Sequence, residues 1–389
     1  MLKLSAPPGR RLVLLSGIVP VLAAAMLAVY RPPFFARLDE ASYDIVVRSA
    51  ATRQPSGRVA IVDVDERSLA AVGQWPWRRD VMGRLITNLR ASGAAVVAID
   101  VIFAESDRHD AAGENPDEQS AGAPDRALAT TLRDSGAVLG YGLTFDPGGA
   151  STRPCVLPSL PLAVVQPPGE QSDEPFFHAT GAVCNLSVLA RAATRAGFLN
   201  AAPDADGILR RAPLLAELDG RVYPSLALTA YAAAMGADHS TLTVSNVNAS
   251  TLTIADLSVP LDGKSNLLLG FRGRKHTFPY YSAVDVLNGA IGDRLRGSIV
   301  LIGTTALGTR EVVATPLDTQ FVGAEVQATA IDDLLQRDVV HRSILGTSLD
   351  MLIAVLAGAC VAALVAGSGV TGGLIGAVGL VAALWWGAT

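Results

Sequence analysis

The sequence predicts an α/β domain with a mixed sheet, an extracytoplasmic domain flanked by transmembrane α-helices. Three observations predict it. Strand-like and helix-like patterns alternate through the middle of the chain, starting with VAIVDV (59–64), a helical pattern over 78–92, and AAVVAIDVIF (94–103). Later runs at 241–246, 250–259 and 266–273 have antiparallel character, which makes the sheet mixed. Uncharged or nearly uncharged apolar stretches stand at both ends, over 12–30, 345–366 and 370–386, close to the length that crosses a roughly 30 Å hydrocarbon layer.

The bulk composition agrees. The 389 residues are 50% hydrophobic and carry a formal charge of −5, with a mean hydropathy of +0.36. That is too apolar for an ordinary soluble enzyme and too polar for a bundle of spanning helices alone. The acidic balance excludes a nucleic-acid partner.

Lys3, Arg10 and Arg11 precede the first apolar stretch, so the positive-inside rule keeps the N-terminus in the cytoplasm and exports the chain beyond that stretch. A cleaved signal peptide is the rival reading, with Ala23, Ala24, Ala25 and Ala28 offering a small-residue cleavage site. The apolar run exceeds the usual h-region and favours an uncleaved anchor. The expected organisation is a cytoplasmic tail and first span over 1–33, an exported domain over 34–342, and two C-terminal spans over 343–389. Ala354, Gly358, Ala362 and Ala366 recur every four residues in the second span, as do Gly372 and Gly376 in the third. Small residues at that spacing let helices pack closely, within a subunit or between two. Asp350, about one turn inside the second span, is expected to be interfacial and hydrated.

In the exported region, VAIVDV is a short β-branched run read as a buried strand. Val81, Leu85, Ile86 and Leu89 fall at helical spacing, and Gly93 closes that helix before the second strand. Strand, helix, strand is a βαβ unit and implies a parallel pair. Next come a helix over 125–136, a strand over 137–145 and a helix over 225–236. TLTVSN, STLTIADLSV and NLLLGFRG read as antiparallel strands, with a turn at Asp262-Gly263 between the last two. SIVLIGTT (298–305) is the clearest late strand, and residues 324–337 read as an amphipathic helix leading towards the membrane. Two segments read as surface insertions: the acidic 104–124 and the proline-rich 146–180. Cys155 and Cys184 lie in the exported region, where oxidising conditions allow a disulfide, whereas Cys360 lies in the second span.

Asp63, Asp65 and Asp100 fall at or near the ends of the first two strands, and the carboxyl edge of a parallel sheet is the usual ligand crevice. Three roles are open to them: capping the next helix, contacting a ligand, or catalysis. Trp75-Pro76-Trp77-Arg78 is either a stacking platform for a ligand or a brace for its own loop. The five histidines lack metal-ligand spacing. GTTALG (303–308) lacks the lysine of a phosphate loop. No metal, cofactor or catalytic residue is expected.

With these residues in view, the chain resembles the second type of CHASE domain, the extracytoplasmic sensory module of bacterial transmembrane receptors. The resemblance rests on Asp44-x3-Arg48, IVDVDERSLAAVGQWPWRRD (61–80), GAAVVAIDVIFAESD (93–107), GFLNAAPDADGILRRAPL (197–214), SAVDVLNG (282–289) and GSIVLIGTTALGTREVVATPL (297–317). It implies a multi-pass protein of the bacterial inner membrane, commonly a homodimer, that senses an unknown ligand or protein partner. It also implies a cytoplasmic nucleotide cyclase or kinase after a third C-terminal span, so the chain is expected to stop short of that span and output. The alternative from the residues themselves is an extracytoplasmic metal-dependent hydrolase on Asp63, Asp65 and Asp100.

Overall fold

The computed structural model describes residues 33–49, 53–108, 122–146, 155–159, 161–166, 175–246, 249–308 and 311–339, with isolated positions 356, 359, 360, 363 and 379. The chain divides into two units, Ala51–His341 and the pair of end segments Met1–Ala50 and Arg342–Thr389. In the second of these, the helix Pro33–Ser49 carries Asp44 and Arg48 as an i,i+4 ion pair at 3.9 Å. Among the described residues no helix is long and apolar enough to cross a membrane. Apart from those isolated positions, the apolar stretches lie outside the described residues, as do the small-residue positions Ala354, Gly358, Ala362, Ala366, Gly372 and Gly376, and Asp350.

The main sheet of the Ala51–His341 unit uses β1 (Val59–Val64), β2 (Val96–Ile99), β3 (Val138–Thr144), β4 (Gly181–Val183), β5 (Arg195–Phe198), β6 (Tyr280–Ser282) and β7 (Ile299–Thr304). Its order is β6-β1-β7-β2-β3, all parallel. At β3, β5 pairs in parallel along Val138–Tyr141 and β4 antiparallel along Gly142–Thr144. One expectation is therefore corrected: β1 and β2 are parallel but do not pair. β7 lies between them, because its own run of buried aliphatic residues registers with both strands.

Residues alternate between the two faces of this sheet, and both faces are covered, as parallel sheets require. Ala60, Val62, Val64, Val97, Ile99, Val300 and Ile302 share one apolar cluster with the helices Arg79–Ala91, Ala123–Ser135 and Ala283–Leu287. Arg79–Ala91 presents Met82, Leu85, Ile86 and Leu89 to it, the spacing of one helical stripe. Val59, Ile61, Val96, Ala98, Ile299 and Leu301 share the other cluster with the helices Leu226–Met235 and Gly323–Gln336.

Beyond that face lies a four-stranded sheet in the order Leu257–Asp262, Ala249–Ile254, Ser240–Asn246, Leu162–Val165. STLTIADLSV is two strands rather than one. The chain reverses at Ala255, which takes φ 51°. Of NLLLGFRG only Asn266–Leu268 is a strand, and it pairs with Arg211–Pro213 instead of extending the hairpin. Asp262 still organises its turn, with Oδ1 accepting from the backbone N–H groups of Lys264 and Asn266.

The helix Gly323–Gln336 is not amphipathic in its setting. Every residue from Ala324 to Leu334 is buried, including Glu325, Gln327, Asp332 and Asp333. Its small residues let it sit close to the sheet: a Cβ on Gly303 would lie 2.6 Å from that of Ala324.

Gly197 of β5 marks a second close approach. A Cβ there would meet the Ser225 carbonyl oxygen at 2.4 Å and the Leu226 nitrogen at 2.5 Å, both backbone atoms. Backbone yields less than a side-chain tip, so Gly197→Ala is expected to cost about 2–3 kcal/mol of stability. Urea unfolding checks this, and a loss below about 0.5 kcal/mol would show that β5 shifts freely.

Candidate ligand site at the carboxyl edge of the sheet

The register of β1, β7 and β2 puts Asp63 opposite Gly303, and Ile302 opposite Ile99. The Asp100 amide donates to the Ile302 carbonyl at 2.9 Å, which extends the ladder by one step. Asp63 and Asp100 thus flank Gly303 at the carboxyl edge, beneath the first turn of the Gly323–Gln336 helix.

Their surroundings differ from that of Asp65. Burial pushes the Asp63 carboxyl up to about 6, although hydrogen bonds from the Thr305 amide and hydroxyl lower it in part. Burial pushes Asp100 up to about 7, with a smaller contribution from the Glu311 charge. Asp65 is the N-cap of the helix Glu66–Val72: its Oδ1 accepts from the Ser68 amide at 2.8 Å, the Ser68 hydroxyl at 2.6 Å and the Ser282 hydroxyl at 2.8 Å. Burial acts to raise its pKa, and these hydrogen bonds outweigh it and hold the carboxyl low. Asp65 therefore has a capping role, and its charge adds to the rise at Asp63. Among the described residues no three His, Cys, Asp or Glu side chains are grouped to hold a metal ion.

The tryptophan run divides in the same way. Trp77 is 4% exposed and donates from Nε1 to the Gly73 carbonyl at 2.9 Å, so it braces its own loop. Trp75 is half-buried and meets Trp77 edge-on, with ring centroids 5.6 Å apart. The peptide between Trp75 and Pro76 is cis. Arg78 is exposed and pairs with Asp80 at 2.9 Å, away from the ring of Trp77.

The neighbouring Arg79 has the larger role. It is buried, its Nε pairs with Asp125 at 2.9 Å, its Nη2 donates to the Glu105 carbonyl, and its guanidinium lies 4.7 Å from the Phe103 ring centre. Asp107, read from sequence as part of a surface insertion, is 6% exposed and accepts the Arg79 amide. Arg79, Phe103, Glu105 and Asp107 line an open cleft of about 260 Å³ together with Trp75, Pro76, Trp77, Val101, Ile102 and Ser106. It opens at the loops that come after β1 and β2, where parallel sheets place their ligand crevices.

Arg79 was legible from periodicity: it lies on the stripe of Met82 and Ile86, both fully buried. Its partner Asp125 was not, being 46 residues away. Elsewhere in the unit, Cys155 and Cys184 form a disulfide with Cα atoms 5.7 Å apart. Cys360, in the other unit, is a free, exposed thiol.

The CHASE2 domain family matches residues 21–372, nearly the whole chain. The chain belongs to the CHASE2 family. No curated protein and no solved structure matches it. CHASE2 domains form a family of extracytoplasmic sensory domains, and a sensory role is consistent with this membership. In this CHASE2 domain, the sequence block IVDVDERSLAAVGQWPWRRD resolves into a strand end, a capped helix, a cleft wall and the buried Arg79.

Proposed function

We propose that this CHASE2 domain is the sensing part of a membrane receptor. The N-terminus lies in the cytoplasm, the folded unit lies outside, and the apolar stretches at 12–30, 345–366 and 370–386 span the bacterial inner membrane. A stimulus received by the unit passes across the membrane to a cytoplasmic cyclase or kinase output, and two copies act together. The observation that carries this reading is the family match, which begins within the first apolar stretch, covers the folded unit and the second stretch, and ends at the start of the third.

The entry and exit of the unit suit such a tether. Arg53 near its start and Asp338 near its end pair at 3.0 Å, and Arg272 holds the same Asp338 oxygen at 3.0 Å. Both chain ends therefore leave from one place, as two connections to one membrane require. With the exit helix buried and clamped, the unit passes a signal as a body rather than by tilting that helix. Alkaline phosphatase fused after Asp219 tests the topology. Activity is expected, because this enzyme gains its disulfides only outside the cytoplasm, and an inactive phosphatase fusion beside an active β-galactosidase fusion at the same position would overturn the reading.

A further inference from the structure

We propose that the cleft beside Trp75 binds a neutral monosaccharide, its apolar ring face on the Trp75 indole and its hydroxyls on Arg79, Glu105 and Ser106. The proposal rests on the sensory reading for its meaning, since it names the class of stimulus, but the binding it describes is measured independently. Four observations lead to it.

The cleft is small. At about 260 Å³ it falls below the roughly 300–1,000 Å³ of sites for drug-sized ligands, so it suits a single ring. One wall is apolar, formed by Trp75, Pro76, Val101 and Ile102, and Trp75 is fixed edge-on against the buried Trp77. A rigid, half-buried indole is a ready platform for the flat face of a ring.

The polar part of the lining is already ordered. Arg79 is 6% exposed, and its Nε and Nη2 are held by Asp125 and the Glu105 carbonyl. Its Nη1 has no hydrogen-bond partner among the described residues, while its side chain forms part of the cleft wall. A donor held this way calls for an acceptor oxygen, because leaving it dry beneath a ligand costs about 1–3 kcal/mol.

Charge then selects among ligands. Asp125 already matches the Arg79 charge, Asp107 adds a second buried carboxylate, and Glu105 pairs with Arg108 at 3.4 Å on the rim. An anion therefore gains no unpaired positive charge here. A cation brings no acceptor for Nη1, and a plain aromatic ring leaves it unpaired. A polyol supplies an acceptor for Arg79 and donors for Glu105 and Ser106, with an apolar face left for Trp75.

The test is calorimetric titration of the full chain in lipid nanodiscs with glucose, galactose and mannose, and with acetate and indole as charged and apolar controls. At least one sugar is expected to bind, with affinity at least tenfold weaker in Trp75→Ala and unchanged in Arg78→Ala, whose side chain lies outside the cleft wall. Ile102→Trp, which fills the cleft, is expected to abolish binding while the unfolding transition persists. Absence of sugar binding, binding indifferent to both cleft variants, or binding of indole or acetate alone overturns the proposal. Sugar binding by a unit that the phosphatase fusion places in the cytoplasm would instead leave the site standing and remove the receptor reading.

Discussion

Replacing Arg272 by Met is expected to destabilise the Ala51–His341 unit by about 3–5 kcal/mol, the cost of leaving a buried carboxylate without its partner. Arg272 is 2% exposed and holds Asp332 through Nε at 2.8 Å and Asp338 through Nη1 at 3.0 Å. Its Nη2 lies 2.8 Å from Asp333 Oδ1, ion-pair distance without hydrogen-bond alignment. Burial works against the arginine's charge, but Asp333 and Asp332 outweigh it and keep its pKa above the ordinary value. Burial also pushes the Asp333 carboxyl well up, against the pull of Arg272, so Asp333 is the member least able to stay ionised alone. Without the guanidinium, Asp332 keeps donors from Ser56 and Gln336, whereas Asp333 keeps the Gly270 amide at 2.8 Å. Asp333→Asn, which stays neutral and still accepts from Gly270, is therefore expected to recover more than half of the loss when added to Arg272→Met. Urea unfolding of the two variants decides it. A cost below about 1 kcal/mol for Arg272→Met, within the range of exposed ion pairs, would mean that the cluster does not hold the two chain ends together.

The same residues show what a sequence reveals and what it withholds. β1, β7 and the Arg79–Ala91 helix are legible because each is a local pattern: β-branched runs bounded by turns, or apolar positions at helical spacing. Sheet order is not local. β7 enters between β1 and β2 from more than 190 residues downstream, and nothing in the βαβ pattern marks the gap. The Gly323–Gln336 helix misleads for a different reason. Its polar residues look like a solvent face, yet Glu325 accepts from the His276 and Thr277 amides and from the Tyr280 hydroxyl, and Asp332 and Asp333 face Arg272. Polar character predicts exposure only when no distant chain supplies the partners.

The site shows the same division. That Asp63 and Asp100 share an edge is expected from their strand-end positions, whereas capping was one of three roles the sequence left open for Asp65. The carboxylate that balances the buried Arg79 and the ring beside its guanidinium, Asp125 and Phe103, arrive from elsewhere in the chain. Sequence pattern located the edge. Partners distant in sequence assigned the roles.

The pH dependence of stability offers the second large effect. Asp100→Asn is expected to stabilise the unit at pH 8 by up to about 4 kcal/mol, at 1.36 kcal/mol per pH unit over about three units, and to change little at pH 4. The sign comes from the raised pKa. Below about 3.8 the carboxyl is protonated in both folded and unfolded chains, and it contributes no pH dependence. As pH rises from there towards 7, the unfolded chain loses the proton while the folded one keeps it, so stability falls. Above 7 both are ionised, and the half-buried charge beside Glu311 is a constant penalty. Asparagine fits the same space without that charge, so the variant's curve should lose most of its fall between pH 4 and pH 7. Asp63, raised to about 6, adds to the wild-type slope over a narrower window. Asp63→Asn is the less clean probe, because Thr305 donates two hydrogen bonds to the carboxylate. The depressed carboxyls Asp65, Asp206, Asp256 and Asp318 act below pH 4 with the opposite sign and cancel in the comparison of variant with wild type. Thermal unfolding from pH 4 to 8 measures both curves. Parallel curves would mean that Asp100 ionises in the folded unit as freely as in water, and the carboxyl edge would then be an open, solvated surface.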